Sequence, residues 1–186
     1  MKNILTVTAL LFLVSITSQA QFSIRGGLNF STLDFSEGLD NFEEENKSGY
    51  HLGLHYAIGL TSSSSLRVGG LLSTKGTKLE ATTSSLNYLE VPVSFLYHIG
   101  KKRSGLFLEA GVYGGSLLNS DEDKFGVDIK NLDLGLNFGA GVNIGSLGGG
   151  ITYGYGVANI IDGEMVNIPE AYMRNRNLSI YLTLSI

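Results

Sequence analysis

The chain has 186 residues, including 25 Gly and 2 Pro but no Cys and no Trp; it is 43% hydrophobic, 16% charged and carries a net charge of −4. That composition excludes a disordered chain, a disulfide scaffold and a cysteine-based zinc or iron–sulfur site, and a net acidic chain argues against nucleic acid as a partner. Glycine, at 25 of 186 residues, stands at nearly twice its usual share of ~7%, without the three-residue period of collagen.

In chain order, residues 1–20 come first, and Met1–Ala20 has the form of a secretory signal peptide. Lys2 gives the positive start, Ile4–Ile16 is an apolar run, and Ser18-Gln19-Ala20 supplies small residues at the cleavage-specifying positions. The run is shorter than the ~20 residues of a transmembrane helix. Loss of residues 1–20 leaves a net charge of −5, from 12 Lys and Arg against 17 Asp and Glu. Residues 21–186 are expected to form one domain.

From Phe22 onward the apolar residues alternate with period two, in eight segments: Phe22–Ser31, Gly49–Leu60, Leu66–Lys75, Tyr88–Ile99, Leu106–Gly115, Leu132–Ile144, Gly148–Ala158 and Asn177–Ile186. Each is close to the 9–11 residues that cross a bilayer at a tilt. The connections alternate as well. Thr61–Ser65, Gly100–Ser104 and Gly145–Leu147 are short, whereas Ser31–Ser48, Gly76–Asn87, Ser116–Asn131 and Asn159–Arg176 are long. An even strand number with short turns on one side and long loops on the other is the layout of an outer-membrane barrel.

The two faces of these strands differ sharply. One reads Tyr50, Leu52, Leu54, Tyr56, Ile58, Leu60 in the second segment and Leu132, Leu134, Leu136, Phe138, Ala140, Val142, Ile144 in the sixth, and it is free of charge in all eight. The other carries Arg25, Arg67, Lys75, Glu90, Glu109, Asp133, His51, His55, His98 and about half of the glycines. Alternation alone does not say which face points out, but volume does. The interior of an eight-stranded barrel is only just wide enough to be filled by side chains; it accommodates the glycine-rich face and not the bulky one. A β-sandwich would leave its strand glycines exposed, where they weaken the strand. The fold expected is therefore an all-β, eight-stranded antiparallel up-and-down transmembrane β-barrel with lipid against its apolar face. The leader would place both termini and the three short turns in the periplasm and the four long loops outside the cell. Phe22, Phe30, Tyr50, Tyr97, Tyr153 and Tyr155 would form interfacial girdles.

Candidate chemistry is sparse. His51 and His55 share a strand face but lie about 13 Å apart, four rises of ~3.4 Å, too far to hold one ion by themselves. All three histidines face inward, away from any lipid substrate, so no enzyme and no cofactor is expected. The inward charges Arg25, Arg67, Lys75, Glu90, Glu109 and Asp133 balance three against three and are expected to pair, since unpaired buried charge is costly. A network of that kind fills the lumen and fixes register; the alternative is an ion path. The acidic loops hold Asp40, Glu43, Glu44, Glu45 and Asp121, Glu122, Asp123. They are either solvated surface or a binding surface for divalent cations bridging to lipopolysaccharide or for a partner protein. Phe125 stands where an EF-hand ligand belongs, and Gly148-Gly149-Gly150 precedes no helix, so neither is a site. Lys101-Lys102-Arg103 is a basic turn.

Four stretches resemble the PorT-like outer-membrane β-barrel domain of Gram-negative bacteria, also grouped as small porin-family proteins. They are Tyr88-Leu89-Glu90-Val91-Pro92-Val93, Phe107-Leu108-Glu109-Ala110-Gly111-Val112-Tyr113, the run from Gly135 to Gly145 continuing into Ile151–Ile160, and Arg174-Asn175-Arg176-Asn177-Leu178. The resemblance covers Phe22–Ile186. It implies residence in the outer membrane and, through the namesake, a place beside a protein-secretion system. Val112 stands where the family often has Pro, and Ile186 ends the chain where an aromatic is usual. The role so drawn is structural or accessory; the alternatives are a surface-binding module acting through the acidic loops and a narrow porin-like channel.

Overall fold

The computed structural model describes residues 20–35, 44–79, 82–100, 104–120, 128–159, 161–162 and 173–186. Among them ten strands form: β1 (Ala20–Phe35), β2 (Glu44–Gly59), β3 (Ser64–Leu79), β4 (Thr82–Ile99), β5 (Gly105–Ser120), β6 (Asp128–Ile129), β7 (Leu132–Ile144), β8 (Leu147–Gly156), β9 (Ile161–Asp162) and β10 (Met173–Ser185). Eight close a barrel in the order β1-β10-β8-β7-β5-β4-β3-β2, and β6 pairs with β9 as a separate two-stranded ribbon. Every pairing is antiparallel, and closure runs from Ser23↔Ser185 to Phe35↔Met173. The β7–β8 hairpin turns on Gly145 and Ser146, with Gly145 at φ 61°, the left-handed conformation that two-residue hairpin turns need.

Fold class and faces follow the expectation: the outer surface carries Leu28, Leu52, Leu54, Leu72, Val91, Phe95, Leu108, Phe138, Ile151, Ile180 and Leu182, all exposed. Strand length departs from it. β1, β2, β3 and β5 have 16 residues and β4 has 18, against ten to thirteen expected. Most of the extra residues lie at the long-loop end. Gly76–Asn87, expected as a long loop, is instead a continued hairpin, paired from Lys75↔Leu86 to Leu79↔Thr82. Its Thr, Ser and Lys residues carry no apolar alternation because this part of the strand rises past the lipid. A 16-residue strand at ~3.4 Å per residue and a tilt of ~40° rises roughly 40 Å, whereas the apolar band needs only ~25 Å.

The strand register explains the glycines. Large inward residues stand directly opposite glycine on a neighbouring strand: Arg25 on Gly53, His51 on Gly27, His55 on Gly69, Glu90 and Asp133 on Gly115, Phe107 on Gly141, Glu109 on Gly139, Tyr113 on Gly135, and Tyr181 on Gly27 and Gly150. A Cβ at Gly69 would run into the His55 ring, at Gly135 into the Tyr113 ring and at Gly141 into the Phe107 ring. Outward Gly70 would meet nothing within 4 Å. Each ring or charged side chain crosses the narrow lumen over the place where a neighbour has no side chain.

Candidate functional site: the lumenal polar network

Burial of the inward face puts Arg25, Arg67, Lys75, Glu90, Glu109 and Asp133 inside the barrel with His51, His55 and His98. The structure sorts five of the six charges into two groups. Toward the short-turn end, Arg67 is ion-paired with Glu109. Tyr181 Oη donates to Glu109 Oε2 at 3.2 Å, and Ser94 Oγ donates to Oε1 at 3.2 Å. Asn137 Nδ2 in turn donates to Ser94 at 3.0 Å. The carboxylate thus has a partner on each oxygen, as a buried anion requires.

Toward the long-loop end, Lys75 is paired with Glu90 and lies 3.2 Å from Asp133 Oδ2. Asn175 Nδ2 donates to the same Asp133 oxygen at 2.9 Å. The Lys75 ammonium also sits 4.3 Å from the Tyr113 ring centroid, a cation–π contact that gains strength where water is excluded.

Arg25 joins neither pair. It is 5% exposed and has no carboxylate within ion-pair distance among the described residues. Its Nε donates to His51 Nε2 at 3.0 Å, and its guanidinium lies 3.6 Å from the Tyr181 ring centroid. With Nε2 accepting, His51 is neutral and donates from Nδ1 to Asn29 Oδ1 at 2.8 Å. Asn29 also accepts from Ser179 Oγ at 2.8 Å and donates to Ser73 Oγ at 2.9 Å, which makes it the hub joining β1, β2, β3 and β10. The balanced set of six therefore splits unevenly. Arg67 and Glu109 sum to zero, Lys75, Glu90 and Asp133 sum to −1, and Arg25 touches both groups, sharing Tyr181 with the first and a cavity with the second.

Among the described residues, two small cavities of about 40 Å³ each lie inside. The first is lined by Arg25, His51, Lys75, Glu90, Asn137 and Thr152, the second by Gln21, Ser23, Ser65, Arg67, His98 and Thr183. A few waters fit in such a volume and a solute does not. Arg25 borders one cavity and Arg67 the other, and both arginines face the Tyr181 ring, so this cluster separates them. No group of three or more His, Cys, Asp or Glu side chains that could hold a metal occurs among the described residues.

Sequence reasoning placed the inward charges on one face but missed the side chains that bind them together. Tyr88, Tyr113, Tyr181 and Phe107 are buried inside with Asn29, Asn137, Asn175 and Asn177. Strand parity marks all of them as inward except Asn175, which falls in the expected loop Asn159–Arg176; register, which sequence does not supply, makes them partners. Of the acidic loop candidates, Asp40, Glu43, Asp121, Glu122 and Asp123 lie outside the described residues, as do residues 1–19 and Lys101–Arg103. Glu44 and Glu45 fall at the long-loop end of β2, opposite Leu79 and Lys78.

A closed antiparallel barrel, apolar outside and ion-paired inside, defines a membrane-spanning β-barrel protein. The sequence pattern of the outer membrane protein beta-barrel domain family matches residues 15–162, and the chain belongs to that family. Among solved structures it is similar to Ail, the attachment invasion locus protein of Yersinia pestis, at 13% identity and a TM-score of 0.54, over 90% of this chain and 99% of that one. Neisserial surface protein A is similar at 13% identity and a TM-score of 0.52, again over 90% of this chain and 99% of that one. At such identity the likeness is one of fold. No curated protein matches the chain in sequence.

Proposed function

We propose that this outer-membrane barrel serves a structural or accessory role, with no catalysis and no solute passage. The observation that carries the reading is the lumen, in which ion pairs, tyrosines and asparagines pack among the described residues around small cavities such as the two of about 40 Å³. Buried charge of this kind costs several kcal/mol per ion to desolvate before pairing returns it. Its use here is to lock strand register and to close the bore.

In this reading residues 1–20 are a cleaved leader, so both termini and the short turns face the periplasm and the long-loop end faces outward. The four stretches that resemble PorT-like barrels support kinship with that group and, through it, contact with a secretion-system protein. The acidic loop residues, Asp40 and Glu43–Glu45 with Asp121–Asp123, would meet that partner or divalent cations bound to lipopolysaccharide.

Planar-bilayer recording tests the closed lumen: the purified protein is expected to give no stepwise conductance, and reproducible unitary steps would contradict it. Co-purification from detergent-solubilised outer membrane tests the accessory role, for which a stoichiometric secretion partner is expected; recovery of the barrel alone after cross-linking would argue against it.

A further inference from the structure

Most inward glycines are crowded by a neighbouring strand or ring, but Gly154 in β8 is not. It stands between Asn137 of β7 and Asn177 of β10. A methyl group there would make only ordinary contacts, 3.7 Å from the Tyr113 ring and 3.7–3.9 Å from Asn177. Gly154 lines the cavity that Arg25 and Glu90 also border. Three more of the lining side chains leave a buried oxygen without a hydrogen-bond partner: Asn137 Oδ1, Thr152 Oγ1 and Asn177 Oδ1. All three residues are more than nine-tenths buried. The amide nitrogens are engaged, Asn137 Nδ2 with Ser94 Oγ at 3.0 Å and Asn177 Nδ2 with Ser179 Oγ at 2.9 Å, so the oxygens are the atoms left over. On the donor side, Arg25 spends Nε on His51, and its Nη groups have no hydrogen bond among the described residues.

A buried oxygen left unmet costs more than an average hydrogen bond gains, so each such group calls for an explanation. The charges around the cavity decide what meets these. An anion would face two amide oxygens and the Glu90 carboxylate, and a cation would face Arg25 and Lys75. What fits is a neutral molecule that both donates and accepts, and a volume of about 40 Å³ limits it to water. Lys75, Glu90 and Asp133 together carry an excess charge of −1, opposite in sign to Arg25. Water in this cavity is therefore polarised from both sides, which strengthens its hydrogen bonds.

We propose that this cavity is a binding site for ordered water, which bridges Arg25 to the oxygens of Asn137, Thr152 and Asn177 and to Glu90. The arginine left out of the direct ion pairs is joined to them through solvent, and the bore is closed by protein and bound water together. The proposal rests on the closed lumen argued above, whose own test is conductance.

The sign of one substitution separates a hydrated site from a dry void. Gly154→Ala adds a methyl group to the cavity without steric strain, and alanine in place of glycine within a strand is otherwise favourable. With water bound, the methyl group displaces it and leaves the asparagine oxygens unmet. The unfolding equilibrium constant in lipid vesicles should then rise about fivefold or more. A constant that stays level or falls would mean a void that a methyl group fills, and would overturn the site. A crystal structure of the wild-type barrel grown with bromide as the halide gives an independent reading. Density without anomalous signal is expected within hydrogen-bond reach of Arg25 and of at least one of the three oxygens. No density there, or an anomalous bromide peak, would overturn water as the occupant. Unitary conductance steps from a wild type that shows this density would contradict the closed lumen alone, so the two failures are distinguishable.

Discussion

Gly69 and Gly70 are neighbours in β3 that point to opposite sides of the wall, and they isolate the logic of the interior. A methyl group at Gly69 would enter the His55 ring, and one at Gly70 would meet nothing within 4 Å. Gly69→Ala should therefore destabilise the barrel by about 1–3 kcal/mol, the usual cost of overpacking, and Gly70→Ala should change it by less than about 0.5 kcal/mol, both read by urea unfolding in lipid vesicles. The charges make an equally sharp contrast. Lys75 faces both Glu90 and Asp133, so Lys75→Met leaves two carboxylates buried without their cation and should cost about 3–5 kcal/mol. Arg25 has no carboxylate partner among the described residues, and Arg25→Met should cost less than Lys75→Met in the same measurement.

At the scale of the strand, the apolar alternation and the hydrogen-bonded ladder have different lengths. Lipid demands the first and barrel closure the second, so the strands continue past the band with polar residues. This difference governs what was legible in the sequence. The eight segments, their outward faces and the inward set Arg25, Arg67, Lys75, Glu90, Glu109 and Asp133 could be read because period two is a direct imprint of a two-sided wall. The upper hairpin from Lys75 to Leu86 could not, because Thr77, Lys78, Thr82, Thr83 and Ser84 show no apolar period. Arg174 and Arg176, assigned to a loop on the same ground, lie in β10. Nor did parity reveal that Arg25 stands apart from the ion pairs, since parity gives the side of the wall and not the depth or the partner. Leu54, central on the outward face of β2 and 51% exposed, measures the lipid-facing claim at this scale. Leu54→Arg should cost about 2–4 kcal/mol if it lies near the midplane, as measured by the same unfolding equilibrium.

For the whole molecule, narrowness is the governing fact. Eight strands leave an interior that side chains can fill, and here rings and charged groups fill it by crossing over glycines on adjacent strands. The glycine surplus is the condition for a lumen that is both charged and closed. Stability and impermeability then come from the same residues, so variants that open the bore should also unfold more easily.

The chain contains no cysteine, so single-cysteine variants report one position each, and the pair Leu54→Cys and His55→Cys tests the inside and outside of the wall most directly. In the folded barrel in vesicles, Leu54→Cys should react with a membrane-soluble maleimide and resist a sulfonated one. His55→Cys should resist both until the protein is unfolded. Labelling of folded His55→Cys by the sulfonated reagent would mean an open, water-filled lumen, labelling by the membrane-soluble one would mean reversed faces, and either result would contradict a polar core sealed inside an apolar wall.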